Sequence, residues 1–287
     1  MTMSKIKIAE IFYSLQGEGR YAGVPSVFLR TFGCNFQCRG FAMPKGQVTT
    51  EPDEIAEVVH LYSTYEDLPL AETGCDSYAS WHPGFKHLSP MMTNDEVVAK
   101  MESIIPNNTW MQDDGHDVHL VITGGEPLLG WQKNYPDIIA ACQRNGLTNI
   151  TFETNGTQRL SEEFYTWLDN TGTTFSMFTF SISPKLSCSG ETWATAIQPE
   201  IVKEYEGVGN CYLKFVVANE EDVEEVDRAV KAYQDAGFVG PTYLMPIGGT
   251  ENTYNLNTKQ VAELAMKRGY RYSPRLQVDI WRNAWGT

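Results

Sequence analysis

Residues 118–127 have the sequence VHLVITGGEP, a run of β-branched and aliphatic residues that stops at two glycines. The run predicts a strand over 118–122, and the glycines predict a tight turn where the backbone can approach a ligand closely. Five other runs are also β-branched or aromatic, end near Gly, Pro or Asn, and predict strands. They cover 24–30, 149–153, 178–182, 212–217 and 242–245.

Amphipathic helical stretches lie between these strands, at 94–105, 135–145, 220–236 and 258–268. Thr93 or Asn94 is the candidate N-cap of the first, and a glycine closely follows each of the others. This strand–helix alternation predicts an α/β fold with a parallel sheet, barrel-like or open, in a single domain over 1–287. A functional site is then expected in the loops at the carboxyl ends of the strands.

The composition argues against several classes of protein. A formal net charge of −14 repels polyanions, so direct nucleic-acid binding is not expected. No apolar run reaches the roughly 18 residues that span a bilayer, and residues 1–8 lack the apolar core of a secretory signal. Six cysteines in 287 residues do not suggest a disulfide framework. A cytoplasmic protein with reduced thiols and no membrane partner is therefore expected.

Two thiols follow the predicted strand at 24–30, as Cys34 and Cys38 in a CxxxC pair. Such a pair can be packed side by side or can bind metal, and its position after a parallel strand favours a site. The next predicted strand along the chain ends in Gly124, Gly125 and Glu126, where the carboxylate could hold an ammonium group.

The order of CxxxC and then GGEP resembles the radical S-adenosylmethionine superfamily, in which the usual motif is CxxxCxxC. The resemblance implies a 4Fe–4S cluster held by three thiolates, with S-adenosylmethionine on the fourth iron. The third position of that spacing is Phe41. Residues 74–77 (GCDS) instead resemble the end of the motif in the 7-carboxy-7-deazaguanine synthase family. The implied ligands are thus Cys34, Cys38 and Cys75, with 39–74 inserted in the cluster-binding loop.

An insertion of this length is physically tolerable. Lengthening the loop from two to 36 residues costs roughly 2.5 kcal/mol of closure entropy, against metal–thiolate binding worth on the order of 10 kcal/mol. The segment is expected to pack beside the site. The residues expected to do so are Tyr78, Trp81, His82, Pro83 and Phe85.

Of the other three cysteines, two are predicted to be structural and one is an alternative ligand. Cys142, in a predicted helix, and Cys211, at the start of a strand, are typical of small buried apolar residues. Cys188 follows a strand-end motif, Ser183-Pro184-Lys185, and remains the alternative third cluster ligand.

The resemblance covers most of the chain and implies roles for further residues. Arg30 is implied to meet a substrate carboxylate, for which a guanidinium fork is well suited. Ser77 is implied to ligate Mg²⁺ through its hydroxyl. The implied substrate-binding set is Leu15, Gln16, Gly17, Glu18, Arg30, Thr123, Gln277 and Thr287. The implied S-adenosylmethionine-binding set is Gly74, Asp76, Gly124, Gly125, Glu126, Glu153, Ser183 and Lys185.

The activity implied by the resemblance is a radical lyase reaction in 7-deazaguanine biosynthesis, on a partial or distorted (β/α)6 barrel. A radical derived from S-adenosylmethionine starts the ring contraction of 6-carboxy-5,6,7,8-tetrahydropterin to 7-carboxy-7-deazaguanine, with loss of ammonia. No catalytic side chain is implied beyond the cluster and S-adenosylmethionine. The implied partners are the pterin, a reductant protein such as flavodoxin or ferredoxin, and a second copy in a homodimer.

Two alternatives remain open. One is another radical enzyme, such as an activase of a partner protein, against which the QGEG signature at 16–19 argues. The other is a non-catalytic, cluster-free binding or regulatory relative. It is kept open by Phe41 at the usual ligand position, and by Gln277 where the family commonly has a histidine, because glutamine cannot take up a proton near neutral pH.

Overall fold

The computed structural model describes residues 4–171 and 177–287. Within these ranges, nine strands form one sheet: β1 (Lys5–Leu15), β2 (Pro25–Thr31), β3 (Met91–Thr93), β4 (His119–Gly124), β5 (Ile150–Thr154), β6 (Phe178–Ile182), β7 (Asn210–Val217), β8 (Thr242–Pro246) and β9 (Arg271–Tyr272). The strand order is β3-β1-β2-β4-β5-β6-β7-β8-β9. All pairs from β2 to β9 are parallel.

The six strands predicted from the sequence all form, with ends within two residues of the predicted ones. They are β2 and β4–β8, and they are contiguous and parallel, which confirms the predicted α/β class. Their carboxyl ends therefore share one edge of the sheet. Arg30 pairs with Thr123 across β2 and β4, and Glu153 pairs with Ser181 across β5 and β6, so polar side chains from four strands stand in adjacent rows.

Strand β1 was not predicted, and it makes the sheet mixed. It runs antiparallel to both β2 and β3. The alternation of lysine and isoleucine over residues 5–8 is a period-two strand pattern, with Ile6 and Ile8 buried in the core. Its antiparallel direction brings Glu10 opposite Arg30.

Ten α-helices lie within the described ranges: α1 (Glu51–Glu57), α2 (Asn94–Ile104), α3 (Tyr135–Gln143), α4 (Glu162–Thr171), α5 (Trp193–Ala196), α6 (Pro199–Glu206), α7 (Glu220–Asp235), α8 (Glu251–Tyr254), α9 (Thr258–Arg268) and α10 (Leu276–Trp281). Thr93 caps α2 in a reciprocal capping box with Glu96, as its sequence predicts. Gly269 ends α9 in the left-handed conformation that favours glycine.

The main apolar core joins the sheet to its helices. Phe180 stacks on Phe152, with ring centroids 5.3 Å apart, and on Tyr205 of α6, at 4.7 Å. Such offset stacks add to the free energy gained by burying the rings. None of the helices in the described ranges has the length and apolar character needed to cross a membrane.

Residues 39–92 contain α1 and short 3₁₀ turns and form a second, smaller apolar cluster. Tyr78, Trp81 and Phe85 are buried in it, as expected for a segment that packs beside the site. His82 instead binds the Asp53 carboxylate through Nε2 at 3.0 Å. This cluster also includes the side chain of Trp285, so residues far apart in sequence meet there.

Candidate active site

A cavity of about 240 Å³ lies at the carboxyl-terminal parts of the parallel strands. Side chains from six consecutive strands of the sheet line it: Arg30, Thr123, Glu153, Ser181, Lys214 and Met245. The loop after β1, the 74–77 turn, the start of α10 and residues 283–287 complete the walls. Every residue that the sequence predicts as a cluster, Mg²⁺, S-adenosylmethionine or substrate contact lines this cavity, except Glu126.

Glu18 is the centre of a buried ionic network. Its carboxylate accepts hydrogen bonds from Lys214 Nζ at 2.5 Å, Arg275 Nε at 3.1 Å and Gln277 Nε2 at 2.7 Å. Burial alone would raise the pKa of Glu18, but the two cations lower it to about 2. Glu18 is therefore ionised and held in one orientation at neutral pH.

Arg275 links this network to the 74–77 turn. It also pairs with the carboxylate of Asp76 and donates to the carbonyl of Gly248. The charge of Arg275 holds the pKa of Asp76 below its ordinary value despite the burial of that carboxyl. The turn that carries the third predicted thiol is thus fixed by a side chain about 200 residues away in sequence.

Arg30 is held from two sides. Its Nε donates to Glu10 at 2.8 Å and its Nη1 donates to Ser77 Oγ at 3.1 Å. Burial raises the pKa of Glu10 even though Arg30 favours its charged form. Arg30 also lines the cavity. The part of its guanidinium that Glu10 does not occupy can bind an anion there.

A second polar row crosses the sheet. Glu153 accepts from Gln16 Nε2 at 3.2 Å and from Thr123 Oγ1 at 3.1 Å. Lys214 Nζ lies 3.9 Å from the same carboxylate. Three predicted contact residues therefore form one hydrogen-bonded set.

The three predicted cluster thiols are brought together. Cys34, Cys38 and Cys75 line the cavity and pack in one small apolar cluster with Phe36 and Phe41. Burial raises the pKa of Cys34 to about 12 and that of Cys75 to about 11. Such thiols lose their protons when a metal supplies the compensating charge. Phe41, at the usual third ligand position, is thus a wall of the thiol site.

Cys188 lies outside this group. It lines a neighbouring groove, and its Sγ lies 3.7 Å from the carbonyl oxygen of Val216. Cys142 and Cys211 are buried in the main core, as predicted. The structure thus brings Cys75, and not Cys188, into the cavity with the CxxxC pair.

Glu126 is the one predicted contact residue that does not line the cavity. Its carboxylate is fully buried and accepts from Thr154 Oγ1 at 2.8 Å, Asn155 N at 2.7 Å and Leu128 N at 3.0 Å. Burial raises its pKa to about 7. Its hydrogen bonds join the loops after β4 and β5, so its side chain is directed into the protein and not into the cavity.

Gly125, the residue before Glu126, allows close packing of two loops. A Cβ on Gly125 would stand 2.5 Å from the carbonyl oxygen of Gly33 and 2.7 Å from Cβ of Cys34. Only glycine lets the loop after β4 approach the thiol loop this closely.

The start of α10 brings Gln277 against the loop after β1. Gln277 must direct its amide nitrogen at the Glu18 carboxylate, which only accepts, so its carbonyl oxygen faces away. That oxygen is buried and has no hydrogen-bond partner among the described residues. A Cβ on Gly17 would overlap it, so a larger residue there would displace the Gln277 amide.

Three charged side chains that line the cavity were not predicted from the sequence: Glu10, Lys214 and Arg275. Lys214 had a signal, since it is a lysine inside the otherwise apolar run YLKFVV of β7. Glu10 similarly stands inside a strand, next to buried Ala9. Arg275 had no comparable signal, because its partners come from distant loops.

Among the described residues, no three His, Cys, Asp or Glu side chains stand close enough together to hold a single metal ion. The thiolates of an iron–sulfur cluster bind different irons, so they need not converge on one point. Three separated thiols on one cavity wall fit a cluster better than a lone ion.

Comparisons with known proteins were made on sequence and on structure. No family model matches the chain. The chain is 30% identical over 305 aligned residues to the 7-carboxy-7-deazaguanine synthase of Halobacterium salinarum, covering 97% of this chain and 91% of that protein. It is 28% identical to the protein of the same name from Pyrobaculum aerophilum, covering 98% and 97%. The crystal structure of QueE from Escherichia coli has a similar fold, with a TM-score of 0.55, 20% identity and coverage of 94% and 93%.

Proposed function

The chain belongs to the 7-carboxy-7-deazaguanine synthase family of radical S-adenosylmethionine lyases, and we propose that its cavity converts 6-carboxy-5,6,7,8-tetrahydropterin to 7-carboxy-7-deazaguanine with loss of ammonia. One observation carries the proposal. Three thiols, one buried and two partly buried, share a cavity with a fixed arginine and a fixed, ionised glutamate, so a cluster site and a polar substrate site would be adjacent.

Cys34, Cys38 and Cys75 would hold the cluster. Their partial burial beside aromatic rings would provide the water-poor surroundings that protect a radical. When bound, the cluster and S-adenosylmethionine supply the radical chemistry that removes a hydrogen atom from C6 of the pterin. The side chains of this chain orient the reactants and keep water away.

The S-adenosylmethionine contacts would come from the loops beside the thiols. Lys185 donates to Ser183 Oγ at 3.1 Å, and the pair lines the cavity with Gly124 and Gly125. Glu126 would act differently from the other predicted contacts, by fixing the loops that present backbone groups to the cofactor. The remaining predicted contacts are Gly74, Asp76 and Glu153.

The pterin would be bound at both ends. Its carboxylate suits the free edge of Arg30, which Glu10 and Ser77 hold in place. Its amino-pyrimidinone edge carries N–H donors, which suit the ionised Glu18. Gln277, which donates to Glu18 and lines the cavity, would complete this end of the site. The other proposed contacts are Leu15, Gln16, Gly17, Thr123 and Thr287.

Ser77 is the proposed Mg²⁺ ligand. Its hydroxyl lies between the guanidinium of Arg30 and the carboxylate of Asp76, to which it donates at 3.3 Å. A cation beside Arg30 needs nearby negative charge, and the substrate carboxylate together with Asp76 would supply it. Mg²⁺ would then connect the protein to the substrate with water in its other positions.

We also propose that the six parallel strands, with the cavity at their carboxyl ends, form a partial (β/α)6 barrel. Residues 39–74 would be an insertion in the cluster loop of a single domain. The protein would receive electrons from a flavodoxin- or ferredoxin-type reductant. It would form a homodimer and act in the cytoplasm.

The test is anaerobic reconstitution followed by turnover. The reconstituted protein should hold about four irons and four sulfides per chain, and should form 7-carboxy-7-deazaguanine from the carboxy-tetrahydropterin by mass spectrometry. Cys211→Ala is the control, since Cys211 is buried far from the cavity. Cleavage of S-adenosylmethionine without the deazaguanine would indicate another radical enzyme, and absence of a cluster would indicate a non-catalytic relative.

A further inference from the structure

Residues 282–287, here called the closing segment, form one wall of the substrate cavity. Asn283, Ala284, Trp285, Gly286 and Thr287 all line it. Arg282 and Asn283 have φ values of 56° and 60°, in the left-handed region, and so turn the chain sharply after α10. Asn283 fixes that turn by donating from Nδ2 to the carbonyl of Gly249 at 2.8 Å.

Residues 39–74 hold the closing segment through one side chain. Trp285 donates from Nε1 to the carbonyl of Leu68 at 2.8 Å. Its ring meets Tyr65 edge-on with centroids 4.8 Å apart, and Tyr78 at 5.8 Å. Tyr78 in turn donates to the carbonyl of Pro69 at 2.7 Å. The ring and its N–H are thus both used in attaching the closing segment to residues 65–69.

The other side of the closing segment reaches the arginine of the site. Gly286, the residue after Trp285, lines the same cavity as Glu10, and its backbone N–H acts to lower the pKa of that carboxyl. Glu10 holds Arg30 through Nε at 2.8 Å. Leu68 thus binds Trp285, Trp285 and Gly286 line the cavity beside Glu10, and Glu10 binds Arg30.

We propose that Trp285 is a positioning residue, through which residues 39–74 hold the closing segment over the cavity and fix Glu10 and Arg30 for the substrate's carboxylate. The inference rests on the proposed function, because it assigns a purpose to the inserted segment in that reaction. A positioning role for Trp285 and a packing role predict different results. A ring that only fills space would affect stability and leave the affinity for one substrate unchanged.

The experiment compares Trp285→Ala and Trp285→Phe with the reconstituted wild-type enzyme. Phenylalanine retains the ring contacts and loses only the donated hydrogen bond. We expect the KM for the carboxy-tetrahydropterin to rise about fivefold in Trp285→Phe and more in Trp285→Ala, with the KM for S-adenosylmethionine and the iron content unchanged. Trp193→Ala is the matched control, since Trp193 is half-exposed on α5 and outside the cavity.

Hydrogen exchange of peptides covering 282–287 provides a readout that does not depend on turnover. Faster exchange in Trp285→Ala, with no change in Trp193→Ala, is the expected result. Exchange that stays at the wild-type rate would overturn the proposal, as would faster exchange with an unchanged KM for the pterin. If wild-type enzyme forms no deazaguanine, the proposed function fails, and the exchange measurement still decides whether Trp285 holds the segment.

Discussion

The buried pair of Lys214 and Glu18 supports a prediction with a defined size. Lys214 Nζ lies 2.5 Å from the Glu18 carboxylate, and the two side chains are only 5% and 15% exposed. Lys214→Met keeps most of the side-chain volume and removes the charge. It leaves Glu18 with Arg275, which also serves Asp76.

Breaking a buried pair by removing one partner typically costs about 3–5 kcal/mol, because the remaining buried charge loses its compensation. We expect the lower end of this range, because Arg275 still contacts Glu18. That is a large part of the roughly 5–15 kcal/mol that stabilises a folded domain. In urea unfolding followed by tryptophan fluorescence, a slope of about 3 kcal/mol per molar places the midpoint about 1–2 M lower than in wild type.

Two companion variants make the measurement specific. Lys231→Met removes an exposed pair with Asp235 on α7 and should cost about 0.5 kcal/mol or less. The double variant Glu18→Gln with Lys214→Met should recover much of the loss, because neither charge then remains. A loss in Lys214→Met as small as that of Lys231→Met would refute the reasoning.

The stabilisation that ionised Glu18 contributes should decrease as the pH falls. The folded state lowers the pKa of Glu18 to about 2 from an ordinary 4.5, so the stabilisation is complete above pH 4.5. It is lost as the pH falls from 4.5 toward about 2. The stability difference between wild type and Lys214→Met should therefore shrink through this window, and a difference that grows on acidification would contradict the assignment.

Three further predictions concern the same cavity. Cys75→Ala should reduce the iron content after reconstitution to well below about four per chain, whereas Cys188→Ala should leave it unchanged; the reverse pattern would make Cys188 the third ligand. Glu10→Gln should raise the KM for the pterin about tenfold, since a charge-assisted hydrogen bond to Arg30 becomes a neutral one, and an unchanged KM would remove Glu10 from the site. The indole N–H of Trp81 is buried without a hydrogen-bond partner among the described residues, and its ring packs in the same apolar cluster as Cys75, so it can donate to a thiolate there. Trp81→Phe should therefore make the cluster's midpoint potential more negative by roughly 30–60 mV in a redox titration, and a shift to a less negative potential would contradict this reasoning.

The local structure and the chemistry of the loops can be inferred from the sequence. Six strand runs are apolar enough to be buried, so their positions follow from the sequence alone to within two residues. Caps such as Thr93 and Gly269 are local signals, because their hydrogen bonds close within a few residues. The parallel arrangement then places the loops with Cys34 and Gly124 at one edge, since carboxyl ends of parallel strands coincide.

The tertiary structure decided which distant groups meet. Cys75 and Cys188 are both loop thiols, and only the path of residues 39–74 brings one of them to the CxxxC pair. The partners of Glu18 come from β7 and from the approach to α10, about 200 and 257 residues away, and no local pattern encodes such pairings. For Glu126 the local motif predicts a ligand contact. In the fold its carboxylate is buried and accepts hydrogen bonds from three protein donors. Local propensity thus sets the strands and loops, while the roles of the charged side chains follow from which of them the fold removes from water together.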